Sequence, residues 1–169
     1  QKLGYNTFDL SNEYGNRRES LQPVQHLAKG CKVTYRQPFS KAWPSHGATT
    51  LTDGELGGWT YADHKWQGLL KDLDVVIDLG KLQPVHYVGA TFMHLPGPGV
   101  YVPRSMQVEV SADGKNYESI GTLWNDIDDK IPDLLFKTFS LTCNRQARYV
   151  RVHAVNGKEF IFVDEIIVN

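Results

Sequence analysis

From Leu27 to Val168 the chain is a succession of short stretches rich in β-branched and aromatic residues, separated by clusters of Gly, Pro, Asn, Asp and Ser. That punctuation is what strands of roughly four to eight residues and their turns require. The stretches are Lys32–Tyr35, Asp74–Asp78, His86–His94, Met106–Ser111, Glu118–Leu123, Lys137–Leu141, Tyr149–Ala154 and Phe160–Val168. In Gln107-Val108-Glu109-Val110-Ser111 and Tyr149-Val150-Arg151-Val152-His153 every second residue is apolar, so each strand has one dry and one wet face. Between two stretches, Asp113-Gly114 accommodates positive φ and closes a hairpin. No stretch is convincing as an amphipathic helix. Eight strands, each with one face to hide, can bury those faces only against one another. The pattern therefore predicts an all-β antiparallel sandwich of two packed sheets.

Residues 1–26 read differently. Asn, Ser, Glu, Arg and Pro23 dominate there without periodicity, which marks a linker or irregular segment from an upstream domain, with the sandwich occupying 27–169. The start at Gln1, with neither an initiating Met nor a charged-then-apolar leader, reads as a mature or excised piece of something longer. At 169 residues one domain fits and can supply a core without metal or disulfide help. Lys and Arg number 18 against 19 Asp and Glu, with no polybasic run, so the charge that phosphate neutralisation demands is missing and a nucleic-acid partner is not expected. Runs such as Val75-Val76-Ile77 and Ile166-Ile167-Val168 are far shorter than the roughly 20 residues that cross a bilayer, so no membrane insertion is expected. Cys31 and Cys143 do not make a disulfide scaffold and read as separate buried thiols.

The chemistry-bearing residues exclude more than they propose. Asp126, Asp128 and Asp129 share one loop, and no spacing sets two carboxyls across a cleft as a glycosidase needs. There is no Gly-x-Ser-x-Gly elbow, and the Gly54, Gly57 and Gly58 cluster lacks the Lys-Ser/Thr of a phosphate loop. The six His residues never take the close spacing of a zinc or iron site. Asp53-Gly54, in a loop rich in free carbonyls, has ingredients of a calcium site, without the acid ladder of an EF-hand. The strongest signal is an interval from Thr52 to Leu70, too long and too aromatic for a mere connection. Trp59, Tyr61 and Trp66 lie there beside Asp63, His64, Lys65 and Gln67. A sugar offers an apolar C–H face and a rim of hydroxyls, so its site pairs a flat ring with short fixed donors and acceptors. A Trp in a β protein is more often core than platform, and at least one of Trp59 and Trp66 is expected to be structural. Tyr101, in the loop Leu95 to Arg104, supplies a further wall.

Six blocks carry a family resemblance: Leu51-Thr52-Asp53-Gly54; Gly57-Gly58-Trp59-x-Tyr61-x-Asp63-x-x-Trp66-Gln67-Gly68; Asp74 to Lys81; Val110-Ser111-x-Asp113-Gly114-x-x-Tyr117; Ala147 to Val152; and Asp164 to Val168. In this order they resemble a discoidin, or factor V/VIII type C, domain, the family that includes the family 32 carbohydrate-binding modules. The second block looks most like the module appended to bacterial family 20 glycosidases, the chitobiases and β-N-acetylhexosaminidases. The resemblance implies an eight-stranded, galactose-binding-like jelly roll that is secreted, periplasmic or at the cell surface. Its partners would be a glycan and an upstream catalytic domain of the same chain. It also implies a structural calcium ion, with Asp53 and Glu165 as ligands and Thr60 standing in for a hydroxyl ligand whose place falls near Gly58. The sugar site it implies lies on the loops Trp59–Trp66 and His94–Arg104, with His64, His94, Arg104 and Asn125 as polar contacts. The expected function is non-catalytic binding of terminal galactose- or N-acetylhexosamine-type sugars through Trp59, Tyr61, Asp63, His64, Trp66, Gln67, His94, Tyr101 and Arg104. The competing expectation is a structural or protein-docking accessory domain with no sugar site.

Overall fold

The computed structural model describes residues 23–169 and the backbone of Glu13 and Tyr14. The strands are β1 (Glu13–Tyr14), β2 (Lys32–Tyr35), β3 (Gln67–Leu69), β4 (Leu73–His94), β5 (Ser105–Ser111), β6 (Glu118–Trp124), β7 (Leu135–Val155) and β8 (Ile161–Val168), all antiparallel to their neighbours. Among the described residues, helical structure is confined to two short 3-10 segments, Gly47–Thr52 and Tyr61–Asp63. Hydrogen bonding runs through the order β3-β8-β4-β7-β5-β6, with β1 beside β7 and β2 beside β4.

The two long strands explain how one ladder makes two layers. At about 3.3 Å per residue, a straight 22-residue β4 would be about 70 Å long, several times the radius of gyration, about 15 Å, of a compact chain this size. It bends instead, with register breaks between Asp78 and Gln83 and between Val85 and Tyr87. Gly80, at φ +88°, sits in the first of these breaks, and the Asp78 carboxylate accepts its N–H at 2.8 Å. Before the bend, Leu73–Asp78 pairs with β2 and with Tyr149–Ala154 of β7, which pairs onward to β5 and β6. After it, Tyr87–His94 pairs with Leu135–Thr142 of β7 and with β8, which carries β3. The predicted sandwich is the one observed. The main core lies between the layers and includes Val75, Ile77, Val88, Phe92, Val108, Phe139, Val150, Val152 and Ile166. A second cluster of Trp66, Met93, Val100, Phe136 and Phe162 sits under the loops.

Two pairs of stretches that the pattern separates, Asp74–Asp78 with His86–His94 and Lys137–Leu141 with Tyr149–Ala154, are single bent strands. The intervening Gly80 and Pro84 signal a break, and the chain answers with a bulge rather than a turn. β3, three residues long and buried throughout, has no room for a period. Of the expected segment 1–26, most lies outside the described residues. Its last residues belong to the sandwich: the Val24 N–H donates to Gly54 O at 2.8 Å, and the His26 side chain is fully buried. Cys31 and Cys143 are free and half-buried rather than fully enclosed.

Candidate ligand-binding site

The Thr52–Leu70 interval is held by its own polar groups. Thr60 caps the 3-10 segment Tyr61–Asp63 by accepting the Ala62 N–H at 3.1 Å. Asp63 spends both oxygens on the loop backbone, accepting from Gly58 N at 2.7 Å and Lys65 N at 2.9 Å. Trp66 has 0% of its surface exposed, lies parallel to Phe136 with centroids 5.6 Å apart, and donates its indole N–H to Gly58 O at 3.1 Å. Gln67 is equally buried, donating to Pro44 O and Gly47 O while accepting the Tyr35 hydroxyl. Trp66 and Gln67 therefore present nothing to a ligand: they fasten the loop. Asp63 likewise shapes the loop. Tyr61 is half-buried, stacked on Phe162 and edge-on to Trp43. Trp59, 49% exposed, and His64, exposed at φ +62°, are the members of this set that reach solvent.

A different set of residues forms a cleft. The loop from Leu95 to Arg104 closes on itself through the Leu95–Val100 bridge, and Tyr101 N donates to Phe160 O at 2.9 Å. It is pinned to its neighbours as well, since Arg104 N donates to Val155 O and Asn125 N to Arg104 O. This draws the β4–β5, β6–β7 and β7–β8 connections together around a cavity of about 450 Å³ lined by Tyr101, Val102, Arg104, Trp124, Asn125, Asp129, Gly157 and Lys158. Trp124 is the most exposed large apolar residue described, at 70%. Lys158 Nζ lies 4.7 Å above the Tyr101 ring and 3.2 Å from Asp129 Oδ2. Asn125 is locked by accepting the Ile127 N–H and donating to the Ile127 carbonyl. Arg104 is exposed and, among the described residues, its guanidinium has no hydrogen-bond or ion-pair partner. A Cβ on Gly157 would come within 2.9 Å of Arg104 Cγ, so the glycine makes room for that side chain.

Of the predicted sugar contacts, the cleft gathers Tyr101, Arg104 and Asn125. His94 is buried beneath it, its Nε2 2.8 Å from Ile131 O, and supports the loop floor. Trp59, Tyr61, Asp63, His64, Trp66 and Gln67 do not line it. Sequence reasoning missed Trp124. The signal was present: Leu123 and Trp124 are adjacent in a strand of period two, so only one can face inward, and the other indole is displayed next to the loop.

Of the expected metal ligands, Asp53 and Glu165 lie close enough for their carboxyls to interact, and Thr60 is turned to its own loop. Asp53 accepts Glu55 N through Oδ1 and meets His46 Nδ1 through Oδ2 at 2.8 Å, while Thr60 is occupied as a cap. Donor atoms of His46, Asp53 and Glu55 lie within 4.8 Å of one another, a half-exposed group able to take a metal ion. Glu165 is not in that group. Its Oε2 accepts from Gly54 N at 2.8 Å and sits 2.6 Å from His26 Nε2. Burial, reinforced by the Asp53 charge, pushes the Glu165 carboxyl up to about 10, and burial pulls His26 down to about 4.

No protein-family model and no curated protein matches the chain. Solved structures do. Chitosan-binding module 1 of a chitosanase/glucanase from Paenibacillus sp. IK-5 superposes with TM-score 0.58 at 19% identity, over 86% of this chain and 99% of that one. CpGH89CBM32-4 from Clostridium perfringens, in complex with GlcNAc-α-1,4-galactose, gives 0.58 at 15%, over 89% and 96%. The lectin domain of lectinolysin, complexed with Lewis B antigen, gives 0.58 at 17%, over 88% and 98%. The chain has the sandwich fold of these carbohydrate-binding and lectin modules.

Proposed function

We propose that this chain is a non-catalytic carbohydrate-binding module whose ligand sits in the cleft between Trp124 and Arg104. The observation that carries the reading is an indole 70% exposed on the wall of a cavity that also holds a guanidinium without a partner among the described residues. A pyranose lays its C–H face on the Trp124 ring, with Tyr101 as a second wall. Arg104, Lys158 and the remaining amide hydrogen of Asn125 donate to ring hydroxyls, and Asp129 accepts. Donors of this kind, fixed by loop hydrogen bonds, suit a terminal galactose- or N-acetylhexosamine-type sugar. The parent protein, in this reading, is a secreted, periplasmic or surface-bound bacterial glycosidase that the module holds on its glycan. The fold shared with the three carbohydrate-binding and lectin modules supports binding without turnover, as does a cleft lining in which Asp129 is the lone acid among the described residues.

A small hydrated ligand in an open cleft buries little surface, so the expected Kd is about 0.1–1 mM. Glycan-array screening followed by calorimetric titration tests this. Trp124→Ala and Arg104→Ala are each expected to weaken binding at least about tenfold while leaving the melting temperature unchanged, since both side chains are exposed. A folded wild-type chain that takes no terminal hexose or N-acetylhexosamine would leave the accessory-docking reading in its place, and a Trp124→Ala variant that binds as well as wild type would move the sugar site off this cleft.

A further inference from the structure

We infer that the sugar taken by the cleft is an acidic one, a pyranose whose carboxylate or sulfate group meets the Arg104 guanidinium; this rests on the carbohydrate-binding reading and narrows its ligand. Donors outnumber acceptors on the cleft wall. The guanidinium N–H groups of Arg104 have no partner among the described residues. Lys158 spends one N–H on Asp129 Oδ2 at 3.2 Å, and Asn125 keeps one amide N–H after donating to the Ile127 carbonyl. Against these stands the Asp129 carboxylate, one oxygen of which already belongs to Lys158. The Asn125 side-chain oxygen is taken by Ile127 N.

Water can satisfy surplus donors in an open cleft, but a ligand that displaces it must supply acceptors, because a covered N–H left without one costs about 1–3 kcal/mol. A hydroxyl gives as well as takes, so a neutral pyranose brings further donors to a wall that has one carboxylate to receive them. A carboxylate or sulfate brings acceptors alone, and its paired, charge-assisted bonds to a guanidinium are roughly twice as strong as neutral ones. Charge points the same way: Arg104 and Lys158 against Asp129 leave the lining positive, in a chain whose formal net charge is -1. Asp126 is paired with Lys137 at 3.0 Å, Asp128 accepts Lys130 N at 2.9 Å, and neither lines the cavity. With the C–H face of the ring on Trp124, an acidic substituent at the ring's edge falls to Arg104, for whose stem Gly157 leaves room.

The test is titration of the whole chain, followed by NMR chemical shifts, with the methyl glycosides of galactose, galacturonic acid and galactose 6-sulfate. An acidic sugar is expected to bind about tenfold more tightly than galactose at low salt. That advantage should shrink as NaCl rises toward about 0.5 M, where the Debye length is only about 4 Å. The order of the two acidic sugars tells a planar carboxylate from a sulfate ester. Arg104→Gln, which keeps N–H donors and drops the charge, is expected to bring the ratio of acidic to neutral affinity close to one. Trp124→Ala is expected to weaken both alike and leave that ratio in place. Equal binding of galactose and both acidic sugars by the wild type, or a preference that survives Arg104→Gln, would overturn the inference while leaving the sugar-binding reading intact. A folded chain that binds none of the three would remove both.

Discussion

Three of the four tryptophans have three different duties. Trp66 holds up the aromatic cluster, and its truncation to Ala is expected to cost about 3–5 kcal/mol in urea unfolding. Trp59, half in solvent, should cost within about 0.5 kcal/mol when truncated. Trp124 should leave stability untouched and report on ligand. Gly57 shows how tightly the first of these is seated: a methyl there would overlap the Trp66 indole ring, and Gly57 N–H is committed to Asp164 at 2.9 Å. Gly57→Ala is expected to lose about 1–3 kcal/mol, read as a lower urea midpoint with an unchanged slope. The composition of the Trp59–Trp66 block points to stacking rings, but which ring faces outward depends on what lies beneath it. Phe136 and Phe162, some 70 to 100 positions downstream, settle that, and nothing local announces them.

Among the elements, β4 and β7 are joined by charged side chains that reach diagonally across the ladder. Arg148 grips Asp78 with two bonds of 2.8 and 3.0 Å, and one turn of the pleat away Arg151 bridges Asp74 and Glu109. The Arg148 guanidinium holds the Asp78 carboxyl below its ordinary range, and at Asp74 the Arg151 bonds prevail over burial, which works the other way. A carboxyl lowered in the folded state releases its proton more readily there than in the unfolded chain. Its contribution is therefore complete above the unfolded value, near 3.9, and fades as pH falls through the lower folded value. Thermal melts from pH 5 down to pH 2 should steepen in loss below about pH 4, and Asp78→Asn should flatten that limb. At neutral pH the same variant should cost under about 1 kcal/mol, because both partners are partly open to water. The alternation in β5 and β7 was plain enough in the sequence to place these faces. Continuity through Gly80 and Pro84 was not, since a bulge and a turn use the same residues and only the partner strand tells them apart.

At the scale of the molecule, fold class was legible because the need to bury one face of many short strands has few solutions. The cleft was legible only in part, because Tyr101, Arg104, Trp124 and Lys158 come from three connections that chain order keeps apart. Those connections are braced by two strands that pass from one layer into the other. The layers consequently have no plane along which they can slip, and the molecule has no weak seam for tension to open. Amide exchange at Ile77 and Val88, on either side of the bend in β4, should then share a single opening free energy equal to that of complete unfolding. A slower-exchanging layer set against a faster one would mean that the strands do not transmit load. On the proposed reading, in which the module holds a larger chain on its glycan, strain arriving at one end would reach the binding rim undivided.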